Sequence, residues 1–156
     1  EQRCWVHKTA NVLDKMPKCV RKQAKPMIHE IYMAPSKALA DKAFDRFIEV
    51  YSAKYPKAVE CLSKDRANLL SFYEYPAEHW IHIRTTNVIE STFATVRLRT
   101  YKTRGNGTIN STLLMVYKLV DAASSGWRRL KGHKLILKVL NGVKFTDGVE
   151  EKETAA

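Results

Sequence analysis

The sequence predicts a mainly α-helical fold with at most one or two short strands. Three observations lead there. Apolar residues recur at spacings of three and four through most of the chain, the period of a helix with one buried side. Prolines and hydroxyl or amide residues stand just ahead of these stretches, where first-turn amides lack partners. Strand-like composition is confined to Cys4-Trp5-Val6 and Val143-Lys144-Phe145.

Taken in order, Thr9 or Asn11 caps a short helix ending before Pro17. A second helix runs from Pro17 towards Met33, and Pro26 is expected to kink or divide it. Pro35-Ser36 opens the clearest helix, with Ala40, Ala43, Phe44, Phe47, Ile48 and Tyr51 on one face. Pro56 opens the next, its stripe formed by Val59, Leu62, Arg66, Leu69, Leu70 and Tyr73. Residues 76–83 form a short helix or turn carrying His79, Trp80 and His82. Thr86 or Asn87 caps a helix whose buried face is Ile89, Phe93 and Val96. Gly105-Asn106-Gly107 ends it in a loop. Asn110 or Ser111 starts a longer helix through Leu113, Val116, Tyr117, Val120 and Trp127. A last helix runs from Lys134 to Asn141 and stops at Gly142. Glu150 to Ala156 reads as a disordered polar tail. Trp5 and Trp127 are expected in the core, as are Cys19 and Cys61.

At 156 residues the chain can bury one sizeable core. No apolar run approaches the ~20 residues of a membrane span, so no membrane partner is expected. Three scattered cysteines argue against a disulfide framework and for a reducing compartment. Two tripeptides of glycosylation type, at Asn106 and Asn110, have no meaning without a secretory route. The net charge of +11 is unevenly placed: from Arg84 to Lys138 eleven Lys or Arg face two acids, while the remainder carries sixteen against fourteen. Such segregation is expected of a surface that neutralises phosphates, or of a solvated basic face.

The stretch from Arg84 to Arg104 concentrates the chemistry. Glu90 falls in the first turn of its helix, where the dipole favours a carboxylate. Arg97 lies close to the same face, and Arg99, Lys102 and Arg104 follow. One carboxylate ahead of several cations suits a metal ion beside a phosphate backbone, although a first-turn Glu is also ordinary cap chemistry.

Thr86-Asn87-Val88-Ile89-Glu90-Ser91-Thr92-Phe93, followed by Arg97-Leu98-Arg99-Thr100, resembles the signature of the Mutator-type DDE transposases of bacterial insertion sequences. Gln2 to Lys8, Phe44 to Phe47, Tyr55 to Ala58, Pro76 to Trp80, Trp127 to Leu130 and Phe145 to Gly148 resemble further blocks of that family, in family order. The resemblance implies a helical insertion plus the C-terminal helices of an RNase H-like α/β transposase core. Residues 1–16 would end the strand and helix region, 17–83 form the insertion, 84–149 carry the catalytic Glu helix and DNA-contacting helices, and 150–156 the tail. It gives Glu90 the role of third catalytic carboxylate and metal ligand, with two aspartates upstream of Glu1. The abrupt opening at Glu1 agrees with a piece of a longer polypeptide.

For the full-length enzyme the resemblance implies Mg²⁺ or Mn²⁺, three carboxylates holding two ions about 4 Å apart for strand cleavage and transfer. Asp14, Asp41, Asp45 and Asp65 lie in polar helical patterns and do not substitute for the missing pair, so the chain alone is expected to be inactive. DNA is the implied partner, as transposon ends and target, with a homodimer or higher synaptic assembly in the bacterial cytoplasm, at the nucleoid. Arg97, Arg99, Lys102 and Arg104 are the candidate phosphate contacts. Trp80 either stacks on an unpaired base or packs the insertion against the catalytic helix. Arg128, Arg129, Lys131 and Lys134 form a second basic cluster, expected on a solvated helix face with some DNA contact. Cys4-x-x-His7 takes a structural role by resemblance; with His79-x-x-His82 it offers zinc-type ligands, but zinc is not expected. Tyr101 and Thr108-Ile109-Asn110 replace residues usually more basic in the family. A non-catalytic DNA-binding or assembly module from a truncated element stays open, as does a protein-interaction bundle.

Overall fold

The computed structural model describes residues 1–104 and 107–151, excepting the side chains of Asn87 and Val88. It divides into two compact units, one formed by Glu1–Thr85 and the chain from Lys131 onward, the other by Thr86–Leu130. Among the described residues the only sheet has two strands, so the fold is mainly α, as predicted.

The first unit begins with α1 (Trp5–Leu13), where the sequence suggested a strand. Trp5, Lys8 and Val12 share its buried side, and Lys8 is only 4% exposed. Its ammonium group donates to Cys61 O at 2.9 Å and forms an ion pair with Asp65. Trp5 donates its indole N–H to Leu69 O at 2.9 Å. The helical period was hidden because the middle residue of the triad is a lysine, satisfied by a partner far along the chain.

α2 (Lys18–Met33) runs through Pro26 undivided. Proline lacks the donor for the carbonyl four residues back, but Pro26 lies on the exposed side, where water can serve that carbonyl. Ala24, Ile28 and Ile31 pack inward. Cys19 is exposed on this helix rather than in the core, whereas Cys61 is buried. α3 (Lys37–Tyr51) is capped by Ser36, which accepts from Leu39 N–H at 3.3 Å, and buries Ala40, Phe44, Phe47 and Tyr51. The stripe read as one helix from Pro56 is broken: α4 (Pro56–Ser63) and α5 (Arg66–Leu70) are followed by a 3-10 turn, Ser71–Glu74. α2 packs on α1 and α3, and α4 on α1 and α3. A 3-10 turn, Ala77–His79, then leads into the short α6 (Trp80–Ile83).

The second unit is a pair of packed helices, α7 (Asn87–Lys102) and α8 (Ile109–Ser124). Thr108 caps α8 by accepting from Ser111 N–H at 3.1 Å. α8 stops short of Trp127, which is 59% exposed and not a core residue. Ile89 and Phe93, expected on a buried face, are both largely exposed; α8 covers only part of α7. The predicted loop at Gly105 and Asn106 lies outside the described residues.

Back in the first unit, a 3-10 turn (His133–Leu135) and α9 (Ile136–Leu140) precede β1 (Phe145–Thr146) and β2 (Val149–Glu150). The strands pair antiparallel, Phe145 with Glu150 and Thr146 with Val149. Asp147 and Gly148 join them with φ of 49° and 82°, the two left-handed residues of a type I′ hairpin. The hairpin closes the unit: Asp147 accepts from the first amide of α3, Lys37 N–H, at 2.6 Å. Gly148 O accepts from Ala77 N–H at 3.1 Å. Glu150, expected in a disordered tail, belongs to this hairpin; residues 152–156 lie outside the described ones.

Candidate nucleic-acid and metal site

Glu90 sits in the first turn of α7, half-buried. Thr86 is the N-cap, but its side chain does not bond a first-turn amide. Its hydroxyl instead donates to Glu90 Oε1 at 2.6 Å, while its carbonyl accepts from both Ile89 and Glu90 N–H at 3.0 Å. The Thr86 side chain thus orients the carboxylate from one turn below.

A helix turns about 100° per residue, so Arg97 lies within about 20° of Glu90 and about 10 Å further along the axis. Arg99 points to the opposite side, about 180° away, and Lys102 about 120° away. All three are exposed. The basic cluster therefore wraps α7 instead of forming one row. Arg104 ends the helix in the left-handed region, with φ of 52°. Its N–H donates to Tyr101 O at 3.3 Å, closing the last turn.

α8 presents two different sides. Met115, Val116, Leu119 and Val120 are half-buried in the pair, whereas Ile109, Leu113, Leu114 and Tyr117 form an exposed apolar side. No residue of either helix is fully buried among those described.

In the other unit, Trp80 packs edge-on against Phe72 and Tyr73, with ring centroids 5.4 and 4.9 Å away. Its indole N–H donates to Tyr75 O at 2.9 Å. Arg84, to which the sequence assigned no role, lies over the rings of Phe72 and Tyr32 at 5.7 and 5.9 Å. It donates to Tyr32 O at 2.6 Å, and its own carbonyl accepts from Trp5 N–H at 2.9 Å. Burial pushes its pKa down, and the neighbouring Tyr73 and Tyr32 oppose that shift. The signal that could have found it is a cation among aromatic residues at the start of the signature stretch.

Cys4 is the N-cap of α1 and His7 an exposed residue of its first turn, so the pair marks a helix start rather than a strand. His79 Nε2 lies 2.9 Å from Gly132 O, and His82 Nε2 accepts from Lys131 N–H at 3.0 Å. Both histidines thus hold the returning chain by its backbone. Arg128 and Arg129 follow α8 in an exposed irregular segment, not on a helix face. Among the described residues no group of three or more His, Cys, Asp or Glu side chains is placed to hold a metal ion. A carboxylate such as that of Glu90 is a hard oxygen donor of the kind Mg²⁺ takes, and one alone does not make a site. No helix among the described residues is long and apolar enough to cross a membrane.

The profile of the Mutator transposase family matches residues 1–129. Over its whole length the chain is 48% identical to the transposase for insertion sequence element IST2 of Acidithiobacillus ferrooxidans, covering 55% of that protein. Over 95% of its length it is 51% identical to the transposase for IS6120 of Mycolicibacterium smegmatis, covering 46% of it. A weaker similarity, 33% over 65% of the chain, is to the transposase for IS905 of Lactococcus lactis. The chain spans about half the length of the first two relatives.

Proposed function

The chain belongs to the Mutator family of transposases, and on that premise we propose that it supplies the third carboxylate and part of the DNA grip of a metal-dependent DNA transposase. The observation that carries this reading is Glu90 in the first turn of α7, oriented by Thr86 and followed on the same face by an exposed Arg97. In this reading Glu90 helps to hold Mg²⁺ or Mn²⁺, together with two aspartates in the half of the relatives that this chain does not span. The bound ions would activate the attacking oxygen and stabilise the leaving one during strand cleavage and transfer. Arg97, Arg99, Lys102 and Arg104 contact phosphates and fix register without reading bases. Because they surround α7, they serve more than one strand or more than one turn of a duplex. Trp80 holds α6 within the insertion, its N–H and two ring neighbours being protein groups. The exposed apolar side of α8 supports docking of this pair onto a larger RNase H-like core.

The partners are transposon ends and target DNA, in a homodimer or higher assembly at the bacterial nucleoid. With one carboxylate of three, the chain alone binds duplex but neither cuts nor joins it. Incubation with labelled duplex and Mg²⁺ tests this. The expected result is binding that weakens steeply with salt, no cleavage, and unchanged affinity in Glu90→Gln. Mg²⁺-dependent cutting that disappears in Glu90→Gln would overturn the incomplete-site reading. A second reading, a non-catalytic DNA-binding or assembly module, is favoured by the lone carboxylate. It wins if the native reading frame holds no aspartate pair ahead of Glu1.

A further inference from the structure

The acids of the first unit are largely engaged. Asp65 pairs with Lys8 and Arg3, Asp41 and Asp45 with Arg66, Asp14 with Arg21, Glu74 with Lys37 and Glu150 with Lys138. The unit nevertheless carries twenty Lys or Arg against fourteen acids, and α2 holds a row of the unpaired cations. On α2, Lys18, Lys22, Lys25 and His29 are all exposed. At about 100° per residue they fall within an arc of about 60°, turned well away from buried Ala24, Ile28 and Ile31. None of the three lysines has an ion-pair partner among the described residues. Glu30, at the end of this row, is drawn towards Arg46 of α3 at 4.0 Å.

We propose that this α2 row is a second nucleic-acid contact, gripping the phosphate backbone of a DNA duplex independently of α7. It rests on the DNA-binding reading above and extends it to the helical insertion. The row is about 16 Å long, from eleven residues at about 1.5 Å each. One strand of a duplex carries a phosphate every 3.4 Å of axis but winds around that axis as it rises, so a straight row of this length can meet roughly two or three of them. Lysine, a point charge on a flexible stem, suits contacts that need no base geometry. An ordinary solvated face would interleave acids with these lysines, and between Lys15 and His29 the sequence has none.

The test uses the full chain and a generic duplex, read by fluorescence anisotropy between 50 and 200 mM salt. The triple variant Lys18→Gln/Lys22→Gln/Lys25→Gln is compared with Lys42→Gln/Lys54→Gln/Lys57→Gln, which removes the same charge from exposed positions elsewhere in the unit. The α2 variant is expected to bind at least tenfold more weakly at the lower salt and to lose about two to three units of salt slope, at about 0.9 per phosphate contact. The control should change less than threefold. Crosslinking of a photoreactive duplex to α2 peptides of the unaltered chain supplies a second readout that needs no variant. Equal losses in both triples, or an α2 variant within twofold of the unaltered chain, would overturn the proposal while leaving the α7 reading intact. A chain that binds no duplex overturns both. If poly-glutamate binds and only that binding is lost in the α2 variant, the row belongs to an acidic protein partner and the proposal fails.

Discussion

Arg104→Gly separates the backbone role of this residue from its charge. Arg104 holds φ of 52° at the end of α7, a conformation costing an L-residue roughly 1 kcal/mol or more. Glycine removes that strain but gives the unfolded chain about 0.5–1 kcal/mol more entropy to lose. The net change is therefore a gain of at most about 1 kcal/mol, or up to about fivefold slower amide exchange in the last turn of α7. The amides to follow are Thr103 N–H, bonded to Arg99 O at 3.0 Å, and Arg104 N–H, bonded to Tyr101 O. Against this small gain, losing one phosphate contact should lower the salt slope of duplex binding by about 0.9. Arg104→Lys keeps both the strain and the charge, so its exchange and slope should match the unaltered chain. A slope unchanged in Arg104→Gly would remove Arg104 from the DNA contacts. Faster exchange in the same variant would refute the strain argument.

Asp65→Asn leaves the Lys8 ammonium buried against a neutral amide and should cost about 3 kcal/mol in urea unfolding. The Lys8 hydrogen bond holds the Asp65 carboxyl below the usual carboxylate range, so its contribution is complete above pH ~4 and lost as pH falls through the lower folded value. Acid titration monitored by circular dichroism should show that loss in the unaltered chain and a flatter profile in Asp65→Asn. Burial pushes the Tyr73 hydroxyl up to about 12, so the folded state should be fully stabilised below pH ~10 and lose about 2–3 kcal/mol as pH rises through 12. Tyr73→Phe should abolish that alkaline loss at a cost of about 1 kcal/mol at neutral pH, from the hydrogen bond to Ala34 O. Gly148→Ala would place a Cβ 2.6 Å from Ala77 Cβ in a left-handed turn, and thermal unfolding should register at least about 2 kcal/mol of destabilisation.

The parts of the fold that were legible in the sequence are those whose signals are local. Ser36 announced α3 because its hydroxyl caps the helix that follows, and Phe44 and Phe47 fall on one side by spacing alone. α1 was misread because Lys8 interrupts its apolar triad, and the group that makes burial of Lys8 tolerable, Asp65, lies on another element. The long stripe after Pro56 looked continuous since Leu62, Leu69 and Tyr73 all enter one core, although the chain turns at Lys64 and Asp65 between them. Asp147-Gly148 carried a strong hairpin signal that went unused, masked by the brevity of its two-residue strands. At the candidate site, the signature stretch pointed to Glu90 and the basic residues, but their angular order is set by the extent of α7. Arg84 was invisible because it lies half-buried among Tyr32, Phe72 and Tyr73, which belong to two other segments of the chain.

The same contrast bears on how Glu90 is positioned. A carboxylate that shares metal ions must be held to within roughly 0.5 Å by surroundings that are themselves packed. Thr86 supplies one hydrogen bond, and α7 and α8 supply no fully buried side chain among the described residues. The first unit, by contrast, fixes Arg84 through a hydrogen bond, two ring faces and a backbone bond to Trp5. On α7 and α8 two exposed apolar sides, around Ile89 and Phe93 and around Leu113 and Tyr117, remain for something to pack against. In the proposed reading, placing Glu90 accurately is a property of the assembled transposase, which makes catalysis depend on the docking of α7 and α8 as strictly as on the carboxylate itself.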